Sequence, residues 1–164
     1  MNTPPPPPAA ALEVQGLIDA IARNNGDESL GLVLSPSQWE TLSNYMQPLS
    51  MTSGQVLFRQ GAADRTLYFV QSGTLNVRFD EPAESGRMAT VGAGSVVGEG
   101  GFFSHLPRSA TVEVGTACTL WSLSPTRFKE LAHRKPDIAL EVSLAAGAVV
   151  ARRMMIGKHL AAVT

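Results

Sequence analysis

Between Leu49 and Leu123 the chain is written in short apolar runs, each closed by glycine or by a cluster of acidic residues. The runs are Val56-Leu57-Phe58, Leu67 to Val70, Leu75 to Phe79, Met88 to Val91, Ser95 to Val97, Thr111 to Val114 and Leu120 to Leu123. They are too short for helices and follow one another at roughly eight- to twelve-residue intervals, the pattern of an antiparallel sandwich or barrel. The chain has 164 residues, 44% of them apolar. That is enough for one domain with a real core plus extensions.

Helical signals flank this region. Leu12, Leu17, Ile18 and Ile21 predict an amphipathic helix over 12–24, ended by Asn24-Asn25-Gly26. Residues 27–35 read as a linker. Ser35-Pro36 then opens a helix with Trp39, Leu42 and Tyr45 or Met46 on one face. Ser124-Pro125 opens another, with Phe128 and Leu131 inward and a stop at His133-Arg134-Lys135-Pro136. A long helix follows over 137–156. From Ile138 to Ala151 only Glu141 and Ser143 are polar, whereas an ordinary surface helix keeps a polar back. One side is expected to pack on the sheet and the other on a second subunit, a homodimer whose close approach the small residues Ala145 to Ala148 and Ala151 permit. The alternative is cover from the N-terminal helix of the same chain.

The ends read as tails. Residues 1–11 include the run Pro4 to Pro8, a polyproline II spacer. Arg152 to Thr164 carries Arg152, Arg153 and Lys158 with no acidic residue, and is expected to be solvated, or else to touch a neighbour's site or an acidic partner. The expected division is a tail over 1–11, helix and linker over 12–34, a ligand-binding domain over 35–156 and a tail over 157–164.

The chemistry concentrates in Val97-Gly98-Glu99-Gly100-Gly101-Phe102-Phe103-Ser104-His105-Leu106-Pro107-Arg108-Ser109-Ala110. Its two opposite charges, Glu99 and Arg108, flank a glycine-rich turn and one possible helical turn. Arg108 offers a planar fork for two phosphate oxygens. Ionised Glu99 only accepts hydrogen bonds and suits a sugar hydroxyl. Glycines let the backbone approach an anion.

The stretch resembles the phosphate-binding cassette of the cyclic nucleotide-binding domain family. Val97, Gly98, Glu99, Gly101, Arg108, Ser109 and Ala110 fit its pattern, and Phe102 stands where an aliphatic residue is usual. Upstream, Gln55 to Val77 resembles the family's first barrel signature, with Gly61 and Gly73 in place as turns, while Asp64 replaces a small residue and Phe58 an aliphatic one. The resemblance covers roughly 35–156. It implies a mainly β fold with flanking helices, a double-stranded β-helix (jelly-roll) barrel with helices before it and a long one after. It also implies that Arg108 and Ser109 meet the phosphate of a 3′,5′-cyclic nucleotide, that backbone N–H groups of Gly100, Gly101 and Phe102 complete an anion nest, and that Glu99, beside Gly98, accepts from the ribose 2′-hydroxyl. Ser109, where some cyclic-GMP binders have threonine, leans toward cyclic AMP; cyclic GMP and cyclic di-GMP are the other ligands to weigh. Arg78, Met88 and residues 144–155 are candidates to meet the base. The rival reading is a ligand-independent dimerisation or interaction module with a degenerate cassette.

Other classes lack signals. Lys and Arg number 13 against 14 Asp and Glu, net charge −1, so no global basic field attracts nucleic acid or anionic lipid. Only eight residues follow Ile156, so no DNA-reading module is expected. No nucleophile–base constellation suggests an enzyme. His105, His133 and His159 are isolated, and no metal-ligand spacing occurs. One cysteine, Cys118, fits a small core residue and a reducing compartment. With no secretory signal and no apolar run long enough to span a bilayer, the expectation is a cytoplasmic sensor signalling allosterically to an unidentified protein partner.

Overall fold

A computed structural model describes residues 9–79 and 88–156. Six strands form one antiparallel sheet: β1 (Gln47–Met51), β2 (Val56–Phe58), β3 (Leu67–Arg78), β4 (Met88–Val91), β5 (Val96–Val97) and β6 (Thr111–Leu123). The order is β1-β6-β3-β4, with β2 also on β6 and β5 also on β3. The class is therefore the expected one, mainly β with flanking helices, although the pairings make a curled sheet and do not close a ring of strands.

Two long strands replace four expected short ones. Leu67–Val70 and the expected run from Leu75, which stops at Arg78 short of Phe79, belong to a continuous β3, and Thr111–Val114 and Leu120–Leu123 to a continuous β6. These two pair along their length, from Leu67 opposite Leu123 to Arg78 opposite Thr111. Gly73, expected to make a turn, sits inside β3 instead. The register shifts around it, its φ is +81°, and a Cβ there would lie 2.3 Å from the Ala117 carbonyl. It is the residue that allows a bulge against a closely approaching strand.

The helices are α1 (Ala9–Arg23), α2 (Pro36–Ser43), α3 (Glu99–Ser104), α4 (Pro125–Arg134) and α5 (Pro136–Ile156). α1 starts three residues before the expected 12. The caps fall where expected. The Ser35 hydroxyl accepts from the Gln38 N–H while the Gln38 side chain accepts from the Ser35 N–H, a reciprocal capping box. The Ser124 hydroxyl accepts from the Arg127 N–H. α2 ends at Ser43, so Tyr45 and Met46 lie in the turn beyond it, Met46 still buried.

Alternation along the strands fills two cores. One joins the helices to the sheet: Leu17, Ile21, Trp39 and Leu42 meet Phe69 and Trp121 of the sheet and Leu131, Val142 and Val149 of α4 and α5. The other lies within the curl and holds Val70, Leu75, Val77, Val112, Leu120 and Cys118. Burial pushes the Cys118 thiol up, consistent with a core residue. The expected turn at 80–86, the Pro4–Pro8 run, Lys158 and His159 lie outside the described residues. No helix among the described residues is long and apolar enough to cross a membrane.

Candidate ligand site

The glycine-rich segment leaves β5 at Gly98, whose φ of +86° turns the chain into the short helix α3. Any Cβ at Gly98 would lie 2.6 Å from the Thr66 carbonyl and 2.8 Å from Arg108 Nη1. The glycine is therefore required by what lies beneath the loop as well as by its backbone angle. His105, in the left-handed region at φ 64°, ends α3.

Beneath the loop lies Arg108, with 1% of its surface exposed. Its Nη1 donates to the Gly98 carbonyl at 2.9 Å. Its Nη2 donates to the Thr66 carbonyl at 2.7 Å and to Asp64 Oδ2 at 2.9 Å. The guanidinium stacks 4.0 Å from the centre of the Phe58 ring. The backbone is tied to the same strut: Gly61 N–H donates to the Arg108 carbonyl at 2.8 Å, and Arg108 N–H to the Ala62 carbonyl at 2.9 Å. Burial pushes the Asp64 carboxyl up, but hydrogen bonds from Arg108 and Thr66 outweigh it and hold the group below its ordinary value.

Glu99, at the start of α3, has no exposed surface. Its Oε1 accepts from Arg153 Nη1 at 2.6 Å, and its Oε2 has no hydrogen-bond partner among the described residues. Arg153 is itself buried, at 2% exposure. It also donates to the Glu28 carboxylate, to the Ser95 hydroxyl at 3.2 Å and to the Val96 carbonyl at 3.0 Å. Burial pushes the Glu99 carboxyl above the usual range and the nearby Glu28 charge adds to the rise, while the Arg153 cation and hydrogen bonding pull it back only in part. The expectation of a solvated end is thus corrected for Arg152 and Arg153. Arg152 donates to the Ser29 carbonyl, and Arg153 bridges α5 to the site and to the segment after α1.

A cavity of about 380 Å³ opens between α3 and α5. Glu99, Gly100, Gly101 and Ser109 line it, with Phe103 and Leu106 beside them and Val150 from α5. Four of the residues singled out from sequence thus meet at one cavity, and four stand behind it. Gly98 and Arg108 lie under the loop. Ala110 is fully buried in the sheet core. Phe102 turns inward, its ring 5.1 Å from Phe128 and 5.3 Å from Phe103, edge to face, and its N–H donates to the Gly98 carbonyl at 3.1 Å, a bond within the turn.

Asp64, Thr66 and Glu28 are site residues that the sequence reading did not assign, and Arg153, within the 144–155 range weighed for the base, holds Glu99 instead. For Arg153 a signal existed. Val142, Ala146, Val149 and Arg153 follow helical spacing, and all four are buried. Among the described residues no cluster of three His, Cys, Asp or Glu side chains could hold a metal.

A buried cation under a glycine loop, a buried carboxylate at its start and a cavity against α5 make up a candidate ligand site. The profile of the cyclic nucleotide-binding domain family matches residues 48–135, and the chain belongs to that family. It is 32% identical over 106 residues to the cAMP-activated global transcriptional regulator CRP of Escherichia coli, covering 63% of this chain and 49% of that one. It is 31% identical over 105 residues to the cGMP-dependent protein kinase of Plasmodium berghei, covering 62% of this chain and 12% of the kinase. The chain thus spans at most about half of either relative. A solved cyclic nucleotide-binding domain from Methylobacillus flagellatus superposes with a TM-score of 0.76 at 21% identity, covering 90% of this chain and 81% of that one, a likeness of fold.

Proposed function

We propose that the chain is a sensor that binds a 3′,5′-cyclic nucleotide, cyclic AMP foremost, in the cavity between α3 and α5, and passes occupancy to a protein partner without catalysis of its own. The observation that carries this reading is Glu99: fully buried, lining the cavity, with one carboxylate oxygen lacking a hydrogen bond. A buried acceptor left unpaired costs about 1–3 kcal/mol, and a ribose hydroxyl would supply the missing donor. Ser109 and the glycine backbone would face the phosphate, with the Arg108 cation directly beneath the loop. Being dry, that cation acts over a short distance with little screening.

Signalling follows from the position of α5. Its Val150 lines the cavity and its Arg153 holds Glu99. A ligand hydroxyl that donates a hydrogen bond to Glu99 changes the balance of that ion pair, and with it the seating of the helix end. Such coupling requires only that the ligand bind the two seatings with different affinity. The domain is taken as 35–156, and the protein as cytoplasmic and homodimeric through 137–156.

The second reading, a ligand-independent interaction module, rests on the same two charges. Arg108 is held by Asp64, Thr66 and Gly98, and Glu99 by Arg153, so both serve the fold with no ligand present.

Isothermal titration with cyclic AMP, cyclic GMP, cyclic di-GMP and 5′-AMP separates the two. The sensor reading expects binding of cyclic AMP, weaker binding of 5′-AMP, and a loss of roughly 2–5 kcal/mol of affinity in Arg108→Ala. Absence of heat with all four nucleotides establishes the second reading.

A further inference from the structure

On the far side of α3 lies a second cavity, of about 340 Å³. Phe102, Phe103 and Phe128 wall it, and Arg65, His105 and Lys129 stand around it. The three rings already form an edge-to-face cluster, with centroid separations of 5.1 and 5.3 Å and interplanar angles of 76° and 88°. Phe103 is 42% exposed, an open ring edge on which a further aromatic ring would continue the same geometry. His105 and Lys129 are exposed and Arg65 is half-buried. Neither the Arg65 nor the Lys129 side chain forms an ion pair or hydrogen bond with another described residue. No acidic residue lines the cavity.

We infer that this cavity docks an acidic peptide segment of a partner protein, one that carries an aromatic side chain between carboxylates. The aromatic floor gives the anchor and the cationic rim the polarity, the usual division between the centre and edge of an interface. The charges fix the sign. Two uncommitted cations with no carboxylate between them favour an anionic segment and repel a basic one. Two cations and a histidine around a phenylalanine pit do not form a track for a polynucleotide backbone, which needs charge spaced along a groove. The inference does not depend on what fills the other cavity, although Phe103 is a wall of both, so the peptide would sit one side chain away from it.

The test is a titration of the 15N-labelled full chain with the acetylated peptide Asp-Asp-Trp-Glu-Glu, followed by amide chemical shifts. A lysine counterpart, Lys-Lys-Trp-Lys-Lys, and vesicles of anionic phospholipid serve as comparisons. The expected result is saturable shifts at Phe102–His105 and Phe128–Lys129 with the acidic peptide, weakened as NaCl is raised from about 50 to about 500 mM. In the double variant Arg65→Glu/Lys129→Glu the affinity falls at least tenfold. Lys129 lies at the surface and Arg65 is half-buried, and the variant's spectrum without peptide shows whether its fold is intact. Lys129→Glu alone, expected to weaken binding severalfold, keeps the test alive if the double variant does not fold. Absent or scattered shifts overturn the inference. So does equal binding of the lysine peptide, unchanged affinity in the charge-reversed variants, or shifts with the vesicles alone.

Discussion

Arg153 is the polar residue whose removal should be felt most. Without it Glu99 remains fully buried beside no cation. Breaking a buried pair from one side typically costs about 3–5 kcal/mol. Arg153→Met is therefore expected to lose stability of that order in urea denaturation, and Glu99→Gln placed on top of it should recover part of the loss, since the two changes share one interaction. The pH dependence has a definite sign. The folded Glu99 carboxyl titrates above its ordinary value, so its contribution is present at low pH and lost as pH rises through the folded value. In Arg153→Met that value moves further up, and the variant's deficit should be larger at pH 8 than at about pH 5. Asp64 has the opposite sign. Its carboxyl titrates below its ordinary value, so its contribution is present above about pH 4 and lost as pH falls through the lower folded value. Asp64→Asn should flatten the acid limb of stability below about pH 4 and cost on the order of 1 kcal/mol near neutrality, discounted because the Asp64 side chain is 47% exposed. Urea midpoints measured from pH 3 to 8 check both.

Among the elements, α5 shows most directly what the packing leaves undone. Its inner stripe is buried in the helical core, yet Leu140, Leu144 and Met155 remain 57%, 60% and 81% exposed. Cover by α1, the alternative reading, does not reach these side chains. An isolated exposed leucine is ordinary, whereas leucines one turn apart with a methionine further along the same helix make a contiguous face. If that face joins two copies, Leu140→Glu/Leu144→Glu should convert a dimer to a monomer in sedimentation velocity without lowering helix content. A wild-type monomer at about 100 μM would remove the homodimer from the functional reading. Much of this element scale was legible in the sequence. The capped starts at Ser35 and Ser124 and the stop at Pro136 are local signals, fixed within a few residues by hydrogen bonds the sequence nearly spells out. The length of β3 and β6 was not legible, because whether Gly73 makes a turn or a bulge depends on the Ala117 carbonyl, forty-four residues away. The site divides in the same way. The cassette motif marks Glu99 and Arg108, but their partners come from distant chain: Asp64 and Thr66 before β3 for Arg108, and Arg153 on α5 for Glu99, with Glu28 after α1 bonded in turn to Arg153. The resemblance placed Arg153 only within a range of twelve residues, 144–155, and the helical spacing of the buried face of α5 narrows it.

At the scale of the whole molecule, the two buried charges connect parts of the chain that have little else in common. Arg108 ties the glycine loop to the segment entering β3, and Glu99 with Arg153 ties the same loop to α5 and to the stretch after α1. A ligand held by the loop therefore acts on a structure already cross-braced, and its binding energy should appear as global stability. One that binds only the folded state adds RT ln(1 + [L]/Kd), about 2.7 kcal/mol at a hundredfold excess over Kd. For a chain of this size that corresponds to roughly 5–10 °C in Tm. Cyclic AMP at such an excess is expected to raise the wild-type Tm by that amount, and Arg108→Ala by far less. In Arg153→Met the starting Tm is lower, but the ligand-induced increment distinguishes two roles for the arginine. If Arg153 only braces the fold, Kd is unchanged and the wild-type concentration of cyclic AMP still produces the full increment. If α5 must close on the ligand through Arg153, the affinity itself falls, and the wild-type concentration of cyclic AMP no longer produces the shift. Differential scanning calorimetry across a ligand series, with Kd taken from titration of each variant, separates the brace from the latch.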